Sequence, residues 1–121
     1  MPAWSYVLLL EDSCYYCGQT ENYTYRIRQH FEHDGGSRWC NLHNPIEVVF
    51  MQKYDTVKEA FAKEKQNTID YMRIHGIRKV RGANALNCKS DCYKPNNLWW
   101  VPSELRADAE AGLLGELDTS G

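Results

Sequence analysis

A single carboxylate interrupts the apolar stripe of a helix near the middle of this chain of 121 residues. At helical spacing the stripe consists of Val57, Ala60, Phe61, Glu64, Thr68 and Met72. An ionised carboxylate left alone in apolar surroundings costs several kcal/mol or more. We therefore expect Glu64 to pair with a cation, take up a proton or bind a metal ion.

Length and composition indicate one compact globular domain. The longest fully apolar run, Val7–Leu10, is much too short to cross a membrane, and no basic segment precedes it as in a signal peptide. We expect an intracellular protein, cytoplasmic or nuclear, that does not contact a membrane. Its five cysteines, an odd number, then indicate free thiols or a metal site rather than a disulfide framework.

Charge is distributed unevenly along the chain. Residues 22–94 carry 13 Lys and Arg against 8 Asp and Glu, whereas residues 95–121 carry five acidic residues and one arginine. A basic middle suits a polyanionic partner, although an excess of this size is also common on an ordinary solvated surface. Charge alone is therefore weak evidence for nucleic-acid binding.

The first twenty residues predict a β-hairpin. Two strands, Ala3–Leu10 and Cys14–Gln19, flank the polar turn Glu11–Ser13. A loop with an odd number of residues places Tyr6 and Tyr16 on the same face of the sheet, whereas a two-residue loop would separate them.

Two helices and a third strand are expected next. Asn22 can cap a helix that runs to about His33 before Gly35-Gly36, with Arg26 and His30 side by side on one face. Its expected buried row consists of Tyr23, Ile27 and Phe31. Residues 37–44 indicate a loop or short helical turn, followed by a strand over Ile46–Lys53. The helix of Glu64 begins at the capping box of Thr56 and Glu59 and ends near His75.

The pattern weakens after Gly76. Val80–Gly82 is expected to be a short extended piece, and Pro102-Ser103 can cap a helix of about ten residues that starts at Glu104. We expect residues 1–94 to form the main domain and residues 95–121 a C-terminal extension with a short helix and an acidic tail.

Five polar residues occur in a notable order: Tyr6, Tyr16, Arg26, His30 and Glu64. They lie within the segments Trp4-Ser5-Tyr6, Tyr16-Cys17-Gly18, Tyr25-Arg26-Ile27-Arg28, Gln29-His30 and Glu59-Ala60-Phe61-Ala62-Lys63-Glu64, with Gly36-Ser37-Arg38-Trp39 and Leu42-His43-Asn44-Pro45 between them. This ordered set resembles the GIY-YIG nuclease family over about residues 4–82. Each piece is weak, but the set at these spacings is fairly specific.

The resemblance implies an α+β fold in which helices flank a small three-stranded antiparallel sheet. It also implies that the domain hydrolyses phosphodiester bonds in DNA. It implies that Glu64 binds one divalent cation, Mg²⁺ or Mn²⁺, and that Arg26 holds the scissile phosphate. Tyr6 is the preferred general base, helped by Tyr16 and His30. A free tyrosine has a pKa near ~10, so cationic neighbours must lower the pKa of this base.

The sequence departs from the family pattern at several positions. Trp4-Ser5 replaces a glycine and an aliphatic residue, and Cys17 replaces an aliphatic residue. Val80-Arg81-Gly82-Ala83 is similar to the Val-Arg-Gly-Gly tail of some members, with Ala83 as the mismatch. For the asparagine of the family we choose Asn84, with Asn87 and Asn67 as alternatives.

DNA is the expected partner, and basic residues near the site would contact its phosphates. These residues are Arg28, Arg38, Arg73, Arg78, Lys79 and Arg81. Because little chain lies beyond the core, specificity would come from loops, a homodimer or a protein partner.

Two other functions remain open. One is a nucleic-acid-binding module of the same fold without catalysis. The other is a zinc-stabilised interaction domain, since Cys14 and Cys17 have half-site spacing and Cys88 and Cys92 could complete the site. Strand residues three apart point to opposite faces, however, so Cys14 and Cys17 could not easily share one metal.

Overall fold

A four-stranded sheet in the order β3-β1-β2-β4 organises the fold. The computed structural model describes residues 2–34, 38–76, 79–82 and 104, with the side chain of Arg38 outside the description. The elements are β1 (Ala3–Leu10), β2 (Cys14–Thr20), α1 (Tyr23–Glu32), α2 (Arg38–Leu42), β3 (Pro45–Tyr54), α3 (Val57–His75) and β4 (Val80–Gly82). The expected α+β class with a sheet flanked by helices is confirmed.

Strands β1 and β2 form the expected hairpin. Their antiparallel register pairs Tyr6 with Gly18 and Leu8 with Tyr16. The connection is a three-residue 3-10 turn, Glu11–Ser13, in which Asp12 has a left-handed φ of 63°. Alternation along the paired strands then puts Tyr6 and Tyr16 on one face, as an odd loop requires.

The sheet has four strands rather than the expected three. Strand β3 pairs antiparallel with β1, and β4 pairs in parallel with Tyr15–Cys17 of β2. The extended piece at Val80–Gly82 was expected, but its pairing was not. A parallel partner far along the chain leaves no local sequence signal, because the connection is a long crossover rather than a turn.

Both long helices begin where their capping residues indicate. The Asn22 side chain accepts a hydrogen bond from the Tyr25 N–H (3.2 Å), and the Thr56 hydroxyl accepts one from the Glu59 N–H (3.2 Å). Helix α1 ends at His33, whose φ of 57° is left-handed. The predicted end of α1 at His33 is confirmed, as is the end of α3 before Gly76.

The predicted buried row of α1 is wrong at two of its three residues. Tyr23 is 43% exposed and Phe31 is 38% exposed, whereas Ile27 is partly buried against the core cluster and His30 is the fully buried residue of this helix. The helix turns its polar pair toward the tyrosines of the sheet, so Tyr23 and Phe31 of the neighbouring row lie at the surface. Helical periodicity predicted which residues of α1 share a face. It did not predict which of these faces packs against the sheet.

The two faces of the sheet carry different cores. On the α1 face, the buried cluster consists of Tyr6, Leu8, Leu10, Cys14, Trp39 and Cys40. On the α3 face, the Ser5 hydroxyl donates to the carbonyl of Ala60 (2.5 Å), which joins β1 to α3. Among the described helices, none combines the length and apolarity needed to cross a membrane.

Candidate active site

An open cleft of ≈ 630 Å³ lies beside the end of β2 that β4 does not pair with. Its lining residues are Tyr16, Gln19, Arg26, Val57, Lys58, Phe61 and Glu64. Arg26 comes from α1 and Glu64 from α3, which pack on opposite faces of the sheet. Within the described residues, β4 pairs with β2 as far as Cys17, and the two helices meet beyond that point, where Gln19 also lines the cleft.

Tyr6 and His30 form a buried pair behind the cleft. The Tyr6 hydroxyl lies 2.8 Å from His30 Nε2, and the ring of Tyr16 packs against both, with ring centroids 6.2 Å and 4.9 Å away. Tyr6 is only 1% exposed, whereas Tyr16 lines the cleft. The tyrosine that faces the open cleft is therefore Tyr16.

Burial fixes the protonation of this pair. Burial and the charge of Arg26 lower the pKa of His30 to about 3, so its imidazole is neutral near pH 7. A neutral imidazole offers one acceptor nitrogen, and Nε2 can accept the Tyr6 O–H. Burial, followed by the proximity of Tyr16, raises the pKa of Tyr6 well above its ordinary value.

Arg26 is the cation of the cleft. Its guanidinium is within hydrogen-bonding reach of the hydroxyls of Tyr6 and Tyr16, and it donates to the side-chain oxygen of Gln29 (3.1 Å). Burial lowers the pKa of Arg26, but the two tyrosines outweigh this effect and raise the net pKa. The planar fork is therefore charged and held in place at one wall of the cleft.

Glu64 supplies the opposing negative charge. It is 8% exposed and lies in the buried stripe of α3, as its position in the sequence predicted. The Thr68 hydroxyl donates to the Glu64 carbonyl (2.7 Å) and holds this turn of the helix. Burial and then the charge of Glu64 raise the pKa of Tyr16 above its ordinary range.

The profile of the GIY-YIG catalytic domain matches residues 3–71 of the chain. The chain belongs to the GIY-YIG family. UPF0213 protein YazA of Bacillus subtilis (strain 168) is 30% identical over 60 residues, which are 49% of this chain and 59% of that protein. The chain thus spans about three fifths of the curated relative it matches. No solved structure matches the chain.

Members of the GIY-YIG family are endonucleases, and the GIY-YIG catalytic domain is their nuclease domain. The pKa values of Tyr6 and Tyr16 in this GIY-YIG domain differ from the sequence-based expectation that Arg26 lowers them. Their net pKa shifts are upward, because burial outweighs the lowering by Arg26. Arg26 alone therefore does not prepare either hydroxyl to act as a base near neutrality.

The predicted nucleic-acid contacts that the structure describes, Arg28, Arg73, Lys79 and Arg81, lie on different parts of this GIY-YIG domain. Arg81 needs correction, because it is 0% exposed and stacks on the Trp39 ring (4.1 Å), where it cannot reach a phosphate. Arg28 is exposed and lies 3.9 Å from Glu32, and Arg73 bonds to Glu104 (3.4 Å).

The other predicted contacts are either away from the cleft or not described. The Lys79 ammonium donates to the carbonyl of Asp12 (3.1 Å), at the tip of the hairpin. Arg78, Asn84, Asn87 and the side chain of Arg38 lie outside the described residues. Asn67, the alternative on α3, is 4% exposed and lies one turn beyond Glu64.

The cysteines of this GIY-YIG domain do not support the zinc alternative within the described chain. Cys14 packs in the cluster of the α1 face, whereas Cys17 contacts Thr68 of α3 on the other face. The described residues contain no group of three or more His, Cys, Asp or Glu placed to hold a metal ion together. Cys88 and Cys92 lie outside the described residues.

Several residues of the site were missed from the sequence. Lys58 adds a second cation to the cleft, and Gln19 lies at its floor. Gly18 leaves room for Tyr6, because a Cβ at Gly18 would collide with the Tyr6 hydroxyl. Lys58 precedes Glu64 by six residues and so starts about 120° away from it around the helix, which is why helical spacing did not identify the lysine. Nothing local marks the role of Gly18.

Proposed function

We propose that this GIY-YIG domain is a metal-dependent DNA endonuclease that hydrolyses phosphodiester bonds. The observation that carries the proposal is the convergence of Tyr16, Arg26 and Glu64 on one cleft, from three different elements. We further propose that residues 1–94 form the nuclease domain and that residues 95–121 form an extension to it.

Arg26 binds the phosphate in this proposal. Its guanidinium faces the cleft with its charge retained, and a planar fork can donate two parallel hydrogen bonds to phosphate oxygens. Lys58 adds positive charge on the other side of the cleft. Together the two cations favour the pentacoordinate arrangement, in which negative charge on the phosphoryl oxygens is greatest.

Glu64, the one carboxylate that is buried among the described residues, fits a hard divalent cation. Mg²⁺ keeps several waters and binds through one or two carboxylates together with substrate phosphate, so it needs no cluster of protein ligands. Glu64 would hold the ion, Mg²⁺ or Mn²⁺. When bound, the ion supplies positive charge to stabilise the leaving oxygen. A cation beside Glu64 would also offset the negative charge that raises the pKa of Tyr16.

Tyr16 faces the attacking water in this proposal. Tyr6 and His30 pack against the ring of Tyr16 and hold that ring in position. Tyr16 first loses its hydroxyl proton to solvent, which a cation beside Glu64 would favour. Its oxygen then accepts a proton from the attacking water, the water oxygen bonds to phosphorus, the bond from phosphorus to the leaving oxygen breaks, and the leaving oxygen takes a proton from solvent. The Tyr6 hydroxyl is hydrogen-bonded to neutral His30 and to Arg26. It therefore orients the arginine and does not face solvent. Tyr16 therefore takes the place of Tyr6, the general base preferred from the sequence.

Cleavage of supercoiled plasmid DNA, duplex and branched oligonucleotides with Mg²⁺ or Mn²⁺ tests the proposal. We expect wild-type protein to nick or cut DNA and Glu64→Gln to be inactive while its circular dichroism and melting temperature stay close to wild type. Glu47→Gln is the matched control, because Glu47 is an exposed carboxylate on β3. Arg26→Lys keeps the charge without the fork and should also lose most activity.

Two outcomes would contradict the proposal. If all substrates stay intact with both metals, the endonuclease activity is refuted. If DNA is bound but not cut, and binding survives Glu64→Gln with strong salt dependence, the domain is a nucleic-acid-binding module without catalysis.

A further inference from the structure

Two aromatic side chains and a lysine form a surface cluster next to the cleft. The rings of Trp4 and Tyr23 lie 5.0 Å apart at an angle of 55°, and the Lys53 ammonium lies 5.7 Å from the Trp4 ring. We call this cluster of Trp4, Tyr23 and Lys53 the aromatic platform. Trp4 is half-buried and Tyr23 is exposed, so part of the ring surface is open to solvent.

The platform continues into an apolar groove between α1 and β3. The groove measures ≈ 600 Å³ and is lined by Tyr23, Thr24, Ile27, Arg28, Phe31, Glu32, Val48 and Met51. Phe31 and Val48 are each 38% exposed on its walls. An apolar groove bordered by charged residues such as Arg28 and Glu32 offers a candidate binding surface.

The platform is one helical turn from the proposed phosphate site. Tyr23 precedes Arg26 by three residues on α1, and side chains at this spacing are about 5–6 Å apart at their Cβ atoms. Trp4 precedes Tyr6 by two residues on β1 and therefore lies on the same face of the sheet. A strand whose phosphate contacts Arg26 would bring an adjoining nucleotide over these rings.

Only an unpaired base can stack on the rings of Trp4 and Tyr23. In a continuous duplex the bases are stacked on one another and paired, so their faces are not available to protein side chains, whereas single-stranded bases stack readily on aromatic rings. The lysine of the platform complements the phosphates of the same strand.

We propose that the aromatic platform and the adjoining groove bind an unpaired base of the DNA strand held at Arg26. The preferred substrate of the domain is then DNA that has unpaired bases next to the cleaved phosphate. This inference rests on the proposed nuclease function for the position of the phosphate, but its binding prediction can be tested without cleavage.

Fluorescence anisotropy in the presence of EDTA measures binding separately from catalysis. The probes are a labelled 15-nucleotide oligo(dT), the same backbone made of abasic units, and a 15-base-pair duplex. We expect wild-type protein to bind oligo(dT) about tenfold more tightly than the abasic strand, because each stacked base contributes measurably to affinity. Tyr23→Ala should remove this difference, and Tyr23→Phe should retain it.

Tyr25→Ala is the matched control for the loss of a tyrosine from α1. Tyr25 is 60% exposed and lies on a different side of the helix from Tyr23, so its loss should leave the preference for oligo(dT) unchanged. Melting temperatures of both variants establish that the domain remains folded. Because Tyr23 is exposed, we do not expect its replacement to unfold the protein.

The outcomes separate this inference from the nuclease proposal. Equal binding of oligo(dT) by wild type and Tyr23→Ala would overturn the platform, even if the protein cuts DNA. A tenfold effect of Tyr23→Ala in a protein that cuts no substrate would support the platform and refute the nuclease. A concentration-dependent dimer that Tyr23→Ala dissociates would assign the groove to a second copy and overturn the inference.

Discussion

Gly18 offers a way to move Tyr6 without changing any polar residue of the site. Gly18 is directly opposite Tyr6 in the hairpin, and a Cβ added there would collide with the Tyr6 hydroxyl and lie 2.5 Å from Cζ. The ring is almost completely buried and its hydroxyl is bonded to His30, so it cannot swing into solvent. Gly18→Ala must therefore shift the ring or the strand.

The expected magnitudes follow from two separate costs. Overpacking a filled interior costs about 1–3 kcal/mol. Loss of the buried hydrogen bond between Tyr6 and His30 costs about 1–3 kcal/mol more, although the two costs overlap because the same displacement causes both. We expect the free energy of unfolding to fall by about 2–4 kcal/mol. Displacement of the hydroxyl that orients Arg26 should lower cleavage about 100-fold.

Urea unfolding and plasmid cleavage, measured on the same preparations, test this prediction. Leu10→Ala is the control: it lies in the same buried cluster at the far end of β1 and should lose about 2–5 kcal/mol while its folded fraction still cleaves. Gly18→Ala with wild-type stability and wild-type cleavage would refute the steric argument. If Leu10→Ala loses as much activity as Gly18→Ala, lowered stability explains the effect and the positioning role is refuted.

Three further predictions concern protonation, the start of α3 and its attachment to the sheet. His30 has a folded pKa of about 3 against an ordinary 6.5, so the folded state binds fewer protons than the unfolded state between these values. The free energy of unfolding should fall as pH decreases through this window, by up to about 1.4 kcal/mol per pH unit, and His30→Gln should lack this contribution in urea titrations. Thr56→Ala should cost about 1 kcal/mol of stability by removing the cap at Glu59 N–H, measured by thermal unfolding, and an unchanged melting temperature would refute the cap. Ser5→Ala removes the hydrogen bond from the Ser5 hydroxyl to the Ala60 carbonyl, which keeps its partner within α3, and should cost about 0.5–1.5 kcal/mol; a stability equal to wild type in urea would contradict the role of this bond.

Local signals predicted much of the fold and three of the residues that line the cleft, Tyr16, Arg26 and Glu64. The capping oxygens of Asn22 and Thr56 marked both helix starts, because an exposed amide at a helix end requires a nearby acceptor. The alternation of the hairpin placed Tyr6 and Tyr16 on one face. The carboxylate in the apolar stripe of α3 predicted a buried Glu64, since helical spacing depends on the sequence alone.

The features that the sequence did not predict depend on contacts between distant segments. The burial of Arg81 needs the ring of Trp39 as a partner, and no property of residues 80–82 indicates that ring. The exposure of Tyr23 follows from the inward turn of Arg26 and His30, which is decided by the polar residues of the sheet. Hydropathy ranks arginine as a surface residue and tyrosine as a partly buried one, so it fails at both positions.

Within the described residues, β4 pairs with Tyr15–Cys17 of β2, whereas Gln19, two residues further along β2, lines the cleft. A strand that paired with β2 at Gln19 would occupy the main-chain hydrogen-bonding groups of that edge and narrow the opening between α1 and α3. The extent of pairing along β2 is therefore a determinant of cleft width that can change while Tyr16, Arg26 and Glu64 stay the same.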